Sequence, residues 1–317
     1  MTKVSIPMIS GFMVVKDVVK QGYPFVEAVA SVLPICDEFL ISEGYSSDET
    51  FEVVQKMAKL NKKIKIFRQK WPSAQNWNVI GKMTNSLREK CKYDYILSIQ
   101  ANEIFHEDSL EFIKYLPKMC PNVNTFSFPF WHMVGNRKFL EEFRLRFSKN
   151  LQSIIATGDA WTLGVSKAFV VSKAFASIWT PRKLLRYIGR GIQWTYANSG
   201  GNLISRAIYL PKPVFRYWSL FPKNHLEKMR RHAEMFNLNL EEAIGELSKH
   251  VDNPAYFWRT AQKMAINNPL GFNYPDDMGL VDKKDHPRII QDFVVNHESD
   301  RYYVRKEIME LIRENNA

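Results

Sequence analysis

A cluster of polar side chains follows an apolar strand in the first third of the chain. Tyr95–Ile99 reads as a buried strand, and Gln100, Ala101, Asn102 and Glu103 come directly after it. Polar oxygens at the carboxyl end of a buried strand are typical of ligand sites in open α/β sheets. The carboxylate of Glu103 could bind a cation, while Gln100 and Asn102 offer neutral carbonyl oxygens. Alternatively, the two amides are polar turn residues that end the strand.

A second polar segment has the sequence EGYSSDET and runs from Glu43 to Thr50, after the apolar run 39–42. Glu43 lies at a predicted strand end, which makes it a candidate binding residue, and the alternative is that it caps the turn. Asp48, with two serines before a helical stretch, is predicted to be an N-capping residue. Farther along the chain, Asp108 is predicted to cap a helix and His106 to be a packed histidine.

The elements that position these side chains alternate between strands and helices up to residue 103. The predicted strands are 9–15, 39–42, 63–67 and 95–99, and the predicted helices are 24–33, the stretch around 51–57, and 78–91. This alternation predicts a parallel, Rossmann-like sheet. Residues 125–131 and 142–147 then read as strands, the second with the alternation of an antiparallel strand.

Composition limits the classes of protein that fit. The chain has 317 residues, of which 45% are hydrophobic and 13% aromatic, enough for one large or two modest domains with a proper core. No apolar run approaches the roughly 18 residues that span a bilayer, and no signal peptide is predicted. The three cysteines are widely spaced without a CxxC motif, which predicts reduced thiols in a cytosolic protein and excludes a structural zinc site.

The net charge of +11 is concentrated in one stretch. Residues 181–232 hold eleven lysines and arginines and one acid, Glu227. Such a field indicates an anionic partner, namely a diphosphate, an acidic lipid or a nucleic acid, unless it is a solvated basic face. Within it, residues 182–194 have the profile of a helix in a membrane interface, so a peripheral contact at the inner membrane face is an added expectation.

Taken together, the two polar segments resemble the GT-A glycosyltransferases, family 2 in particular. Those enzymes carry an aspartate-glycine-serine-threonine-aspartate-glycine-threonine turn after the second strand, and residues 43–50 match it with Tyr45 inserted. They also carry an Asp-Ala-Asp-Glu type cluster after a later strand, for which this chain has residues 100–103. The resemblance covers about residues 7–165.

The resemblance implies an α/β fold, a GT-A (Rossmann-like) mixed sheet flanked by helices with a helical C-terminal extension. Residues 1–235 would form the catalytic domain, with a nucleotide-sugar half at about 1–105 and an acceptor half at 106–235. Residues 236–317 would form the extension, which is predicted to be helical from about 237, with a helix starting at Pro254 and a last helix from Ser299 to Ile312. The implied activity is transfer of a sugar from a nucleotide-diphosphate sugar to a hydroxyl of a glycan, a lipid-linked or another acceptor, with inversion.

Roles for individual residues follow from the same resemblance. The nucleotide-sugar would contact eight residues, namely Val15, Lys16, Glu43, Lys82, Asn85, Gln100, Ala101 and Asn102. The general base that deprotonates the acceptor would be Asp159, in the segment Gly158–Trp161, with Glu141 and Glu142 as competitors. Glu103 would help to stabilise the leaving diphosphate.

The implied cofactor is a divalent cation, Mn²⁺ or Mg²⁺, held by Glu103 and Asn102 with phosphate oxygens completing the shell. The two aspartate positions of the family are Gln100 and Asn102 here, which leaves other outcomes open. Basic side chains could replace the metal, and four of them, Arg182, Lys183, Arg186 and Arg190, could close over the diphosphate. The remaining alternatives are a non-catalytic nucleotide-sugar or glycan-binding protein, and a protein that binds or modifies nucleic acid.

Overall fold

The structure is a computed structural model that describes residues 6–72, 78–158, 160, 162–164, 196–197, 204–236, 239–266, 279–296 and 306–314. Ten of the described strands belong to one mixed sheet, and two form a separate hairpin. The strands are β1 (Ile9–Val15), β2 (Glu38–Glu43), β3 (Ile64–Arg68), β4 (Tyr95–Ser98), β5 (Glu103–Phe105), β6 (Thr125–Val134), β7 (Arg137–Lys149), β8 (Ile155–Thr157), β9 (Thr162–Gly164), β10 (Tyr196–Ala197), β11 (Ile204–Ala207) and β12 (Val214–Ser219).

The first half of the sheet is parallel, in the order β3-β2-β1-β4. Strands β1, β2 and β4 are almost entirely buried, as expected for strands covered by helices on both faces. Because these strands run the same way, their carboxyl ends meet at one edge of the sheet. The predicted Rossmann-like arrangement is confirmed, with strand limits within one residue of those predicted.

The second half of the sheet mixes strand directions, and β7 is the strand that runs antiparallel to β4. Strand β7 pairs with β4 and forms a long hairpin with β6. Strand β6 in turn pairs in parallel with β11 near its start and with β12 near its end. Strand β12 also pairs with β5, directly after the polar cluster. The prediction of a mixed sheet flanked by helices is therefore confirmed.

Helices cover both faces of the sheet. The described helices are α1 (Phe25–Val32), α2 (Thr50–Leu60), α3 (Val79–Arg88), α4 (Glu107–Met119), α5 (Pro222–Phe236), α6 (Glu241–Ser248), α7 (Pro254–Ile266), α8 (Gln291–Asn296) and α9 (Lys306–Glu314), and short 3-10 turns lie at Leu33–Ile35, Lys283–Asp285 and Arg288–Ile290. Helix α3 packs with the β8–β9 hairpin on a small core around Phe12 and Ile96. Helices α1 and α4 cover the larger core on the other face.

The described part of the C-terminal segment is largely helical, and it packs back on the sheet. Met309 and Ile312 of α9 are buried in the same core as α1. Helix α7 begins at Pro254, as predicted, and its Trp258 lies against the turn between β6 and β7. Gly135 in that turn has a φ of 53°, and a Cβ there would lie 2.6 Å from Trp258 Nε1, so the contact requires glycine. Ser299 lies outside the described residues.

Candidate functional site

At the end of β2, Glu43 lies inside the turn that it begins. One carboxylate oxygen accepts a hydrogen bond from the backbone N–H of Ser46 at 2.5 Å, and the other accepts from Nε of Arg68 at 2.8 Å. The Arg68 guanidinium is stacked between the rings of Tyr45 and Phe51, at 4.1 and 3.9 Å. Glu43 is fully buried, so these contacts are those of a turn cap. The ring of Tyr45 is an exposed aromatic group in this turn.

The same turn is tied to the loop that follows β1. Asp48 accepts hydrogen bonds from the N–H of Lys20 at 2.7 Å and from the N–H of Thr50 at 3.0 Å. Asp17 accepts from the N–H of Ser47 at 2.6 Å. The N-cap of α2 is Glu49, so the prediction of Asp48 as the N-cap was wrong by one residue. Asp48 still binds the N–H of Thr50, the first residue of α2, and it also fixes the β1 loop to the turn.

At the end of β4, the amides of the polar cluster contact β12. The side chain of Asn102 donates from Nδ2 to the backbone carbonyl of Tyr217 at 3.0 Å. The backbone carbonyl of Asn102 accepts from the N–H of Tyr217 at 2.9 Å. Gln100 accepts at Oε1 from Nη2 of Arg216 at 3.2 Å. Gln100 is half-buried, whereas Asn102 is buried. These side chains join β4 to β12 instead of ending the strand in solvent.

Glu103 lies at the centre of an arginine cluster, which consists of Arg144, Arg146 and Arg216. Arg146 donates to both carboxylate oxygens, from Nε at 2.8 Å and from Nη2 at 2.6 Å. Guanidinium nitrogens of Arg144 and Arg216 each lie 3.9 Å from Oε1. The surrounding arginines hold the pKa of Glu103 below its usual range, against the opposing effect of burial. The carboxylate is therefore charged and completely buried.

A second, half-buried carboxylate continues the network. Glu142 accepts from Nε of Arg144 at 2.5 Å and lies 2.7 Å from Nε2 of His132. Burial opposes ionisation of Glu142, but Arg144 and His132 outweigh it and lower its pKa to about 2. Burial lowers the pKa of His132 to about 4, so this histidine is neutral at pH 7. The pKa of Arg144 falls to about 9, through burial and the nearby charge of Arg216.

Sequence reasoning missed these arginines, because alternation in β7 predicts charged residues facing solvent. In the structure Phe126 pairs with Phe147 and Ser127 pairs with Leu145, which leaves Arg146 as the extra residue of a β-bulge. A bulge redirects side chains on the affected strand, and bulges are frequent beside active sites. The available signal was the pair Arg144 and Arg146, two residues apart in a strand opposite an acidic strand end.

The other predicted ligand residues have differing surroundings. Val15 is buried at the end of β1 and pairs with Glu43, and Lys16 has its ammonium 5.9 Å from the centre of the Trp71 ring. Lys82 is exposed on α3. Asn85 exchanges two hydrogen bonds with the backbone of Ala156, at 2.7 and 2.9 Å, which joins α3 to β8. Ala101 is buried beside the cluster, and its role in ligand binding stays a prediction.

Asp159 and the four basic residues between 182 and 190 lie outside the described residues. The residue after Asp159 is described: the carbonyl of Ala160 accepts from Nη1 of Arg146 at 3.2 Å and from Nε2 of Gln100 at 3.4 Å. On the other side, the carbonyl of Gly158 accepts from the N–H of Gly81 at 2.9 Å. Ala160, directly after Asp159, is thus held at the polar cluster, and Gly158, directly before it, is held to α3.

Where the basic stretch is described, much of its charge has protein partners. Arg216 belongs to the arginine cluster, Lys212 pairs with Asp285 at 3.0 Å, and Arg230 pairs with Glu227 at 2.5 Å. Lys228 is buried, donates to the carbonyl of Trp218 and has its pKa lowered by burial and by Arg216. Among the described helices, none has both the length and the apolar character that crossing a bilayer requires.

The start of α4 differs from the prediction. Nδ1 of His106 accepts a hydrogen bond from the N–H of Asp108 at 3.2 Å, so His106 is the N-cap and Asp108 lies in the first turn. The prediction of Asp108 as the cap was wrong, because α4 begins earlier, at Glu107, and the histidine ring binds a free N–H of its first turn. His106 is buried, as predicted. With Glu107 and Asp108 it brings three potential metal-ligand atoms within 4.8 Å.

Comparison with known proteins gives matches at the level of structure. No protein-family model matches the chain. No curated protein matches it in sequence. A search of solved structures finds similar ones, each at low sequence identity. The S. aureus protein TarS in complex with UDP is 13% identical, with 98% of this chain and 90% of that chain covered and a TM-score of 0.34.

Two further similar structures are complexes with Mn²⁺ and a nucleotide-sugar. Glucosyl-3-phosphoglycerate synthase from Mycobacterium tuberculosis, with UDP-glucose and phosphoglyceric acid, is 10% identical over 60% of this chain and 84% of that chain, with a TM-score of 0.34. The mannosyltransferase PcManGT from Pyrobaculum calidifontis, with GDP-mannose, is 13% identical over 39% of this chain, with a TM-score of 0.32. The match spans only 36% of the mannosyltransferase's own length.

Proposed function

We propose that this protein is a glycosyltransferase that moves a sugar from a nucleotide-diphosphate sugar to an acceptor hydroxyl, with inversion. One observation carries the proposal: the turn after β2 and the cluster after β4 lie at the same edge of the sheet, on either side of β1. An open α/β sheet binds ligands outside the carboxyl ends of its strands. Two motifs far apart in the chain thus contribute to one site.

The donor nucleotide would lie across this edge. The nucleobase is assigned to the turn after β2, where the ring of Tyr45 is 54% exposed and Glu43 is committed to the turn itself. The diphosphate is assigned to the strand end at Gln100, next to the arginine cluster. The proposed acceptor is a glycan, a lipid-linked or another hydroxyl compound. Contact of residues 182–194 with an acidic membrane surface stays part of the proposal.

Asp159 is the proposed general base. A base must accept the acceptor proton near neutral pH, and Glu142 is poorly suited because its pKa is about 2. Glu141 lies 3.5 Å from Lys138 on the solvent side of the hairpin. Support for Asp159 comes from its neighbour Ala160, whose carbonyl is bound by Gln100 and Arg146. Glu103 would act as a positioning residue, since it contacts arginines.

The test uses UDP-, GDP- and ADP-sugars with the full chain and measures release of the nucleoside diphosphate, with water as the default acceptor. We expect Asp159→Asn to lower turnover by about a hundredfold or more and to leave nucleotide affinity unchanged. Glu141→Gln is the matched control and should keep full activity. If none of these nucleotide-sugars binds or is cleaved, the proposal fails.

A second candidate is a protein that binds a nucleotide-sugar or glycan without catalysis. It is favoured by the engagement of Asn102 and Glu103 in contacts with other strands. Tight nucleotide-sugar binding with no release of product in the presence of varied acceptors would support this candidate. A nucleic-acid function is not favoured, because the described part of the basic stretch is largely paired or buried.

A further inference from the structure

The polar cluster after β4 does not fit a divalent cation, although the GT-A fold implies one at this place. Mg²⁺ and Mn²⁺ need hard oxygen ligands, usually with at least one carboxylate turned toward the ion. Here both oxygens of Glu103 accept hydrogen bonds from Arg146, and the side chain has no exposed surface. The Asn102 side chain donates to a backbone carbonyl of β12.

The charges around Glu103 also disfavour binding of a divalent cation. Three guanidinium groups lie within 4 Å of Oε1 of Glu103, at 2.6, 3.9 and 3.9 Å. A divalent ion bound to this carboxylate would meet all three positive charges at short range in a buried setting, where repulsion is poorly screened. The positive charge that this strand end offers to a ligand therefore comes from arginine.

Arg216 is the most exposed of the three arginines in the cluster. Its side chain is 9% exposed, against 0% for Arg144 and 1% for Arg146. It lies opposite Glu103 in the β5–β12 pairing, which fixes its stem. Its Nη2 donates to Gln100, which is half-buried at the strand end. A guanidinium presents several donors in one plane and suits a phosphate well.

We infer that the diphosphate of the donor is bound by the guanidinium of Arg216, held in place by Glu103 and Gln100, and that this binding needs no divalent cation. The inference rests on the proposed function. In the transfer step the acceptor oxygen forms a bond to the anomeric carbon, and its proton goes to the general base. The bond from that carbon to the phosphate oxygen breaks, and its electron pair stays on the diphosphate, next to Arg216.

The experiment measures binding of UDP, GDP, ADP and inorganic pyrophosphate to the full chain by calorimetry, in excess EDTA and in excess MnCl₂. We expect one nucleotide to bind in EDTA with an affinity within about twofold of that in MnCl₂. A charge-assisted contact of this kind predicts that Arg216→Ala weakens binding in EDTA by roughly ten- to a hundredfold. Arg313→Ala, in the exposed last turn of α9, is the matched control and should bind like the parent.

Two milder variants keep the test independent of folding. Arg216→Lys retains the charge without the planar donors, and Gln100→Glu places a carboxylate next to Arg216 that competes with the diphosphate. Both should fold, as checked by circular dichroism, and both should weaken binding in EDTA by about tenfold. If both fold and bind like the parent, the inference is wrong.

The metal series separates failure of the inference from failure of the proposed function. Binding of a nucleoside diphosphate in MnCl₂ but not in EDTA overturns the inference and leaves the glycosyltransferase proposal standing. No binding of any of the three nucleotides, with or without metal, overturns both. Binding in EDTA that is lost in the Arg216 variants supports both.

Discussion

Two glutamates at strand ends, Glu43 and Glu103, both pair with arginine but in different surroundings. Glu43 pairs with Arg68, whose side chain is 36% exposed and stacked between two aromatic rings. Glu103 pairs with Arg146, which is 1% exposed, and has two further guanidinium groups at 3.9 Å. Both glutamates are completely buried, so the difference lies in the arginines.

The exposure of each arginine decides how much stability is lost when its glutamate is removed. Water can solvate Arg68 after loss of Glu43, since a third of its surface already faces solvent. It cannot reach Arg146 without opening the sheet, so an uncompensated charge would remain inside. The pair of Glu43 and Arg68 therefore stabilises one turn locally, whereas the pair of Glu103 and Arg146 stabilises the interior of the sheet.

The largest effect is expected for Glu103→Gln. Removing the carboxylate leaves buried arginines without their shared counter-charge, and breaking such a buried pair costs about 3–5 kcal/mol. The free energy of unfolding, measured by urea titration, should fall by that amount. A loss of less than about 1 kcal/mol would show that Glu103 does not hold this cluster together.

Acid should destabilise the network that contains Glu142 and the arginine cluster, through protonation of His132. His132 has a folded-state pKa of about 4, below the ordinary value of about 6.5, so the unfolded chain takes up a proton that the folded chain excludes. Stability from this group is complete above pH 6.5 and is lost as pH falls toward 4, by roughly 2 kcal/mol at pH 5. Urea unfolding between pH 7 and pH 5 measures the slope.

The variant His132→Gln should reduce this slope by about one proton, while the remaining slope includes His286, whose pKa burial also lowers to about 4. Glu142, with its pKa of about 2, adds stability that is lost only as pH falls from about 4.5 toward 2. An unchanged slope in His132→Gln would contradict the assignment of this histidine as neutral and buried.

A smaller effect is expected for Glu43→Gln. The amide oxygen can still accept from Ser46 or Arg68, and Arg68 can turn to water, so the expected loss is about 1 kcal/mol. The same denaturation measurement, run beside Glu103→Gln, gives the contrast directly. Equal losses at the two sites would remove the distinction between the two glutamates.

The smallest effect on stability is expected for Tyr45→Ala. Its ring is exposed and contacts Arg68, which contributes about 0.5–1 kcal/mol at such a site. If the ring also stacks on the nucleobase, affinity for the nucleotide should fall roughly three- to tenfold. Calorimetry with the nucleotide identified above checks this. Unchanged affinity for the nucleotide would show that the nucleobase does not stack on Tyr45.

Much of the parallel half could be predicted from sequence, because its signals are local. Each of β1, β2 and β4 is a short apolar run bounded by turn residues, and each begins and ends within one residue of the predicted limits. The two polar strand ends were also predicted, since polar oxygens after a buried strand are conspicuous in the sequence. The start of α2 was predicted to within one residue, with Glu49 as the N-cap in place of Asp48, because helix-start signals are also local.

The arginine cluster could not be predicted, because distant pairings create it. Arg146 faces inward through a bulge that depends on the register of β6 against β7. Arg216 reaches Glu103 because β12, more than a hundred residues later, pairs with β5. The alternation of charged and apolar residues alone predicts that these arginines face solvent. They are buried because the carboxylate of Glu103 lies among them in the folded sheet.

The packing of α9 has a consequence for synthesis of the chain. Nδ2 of Asn61, at the end of α2, donates to the carbonyl of Ile312 at 2.8 Å, across 251 positions of sequence. Helices α1 and α2 belong to the first quarter of the chain, yet the core beneath them includes Ile312. A nascent chain on the ribosome therefore exposes this apolar surface until α9 emerges, and we expect this long-range contact to slow folding.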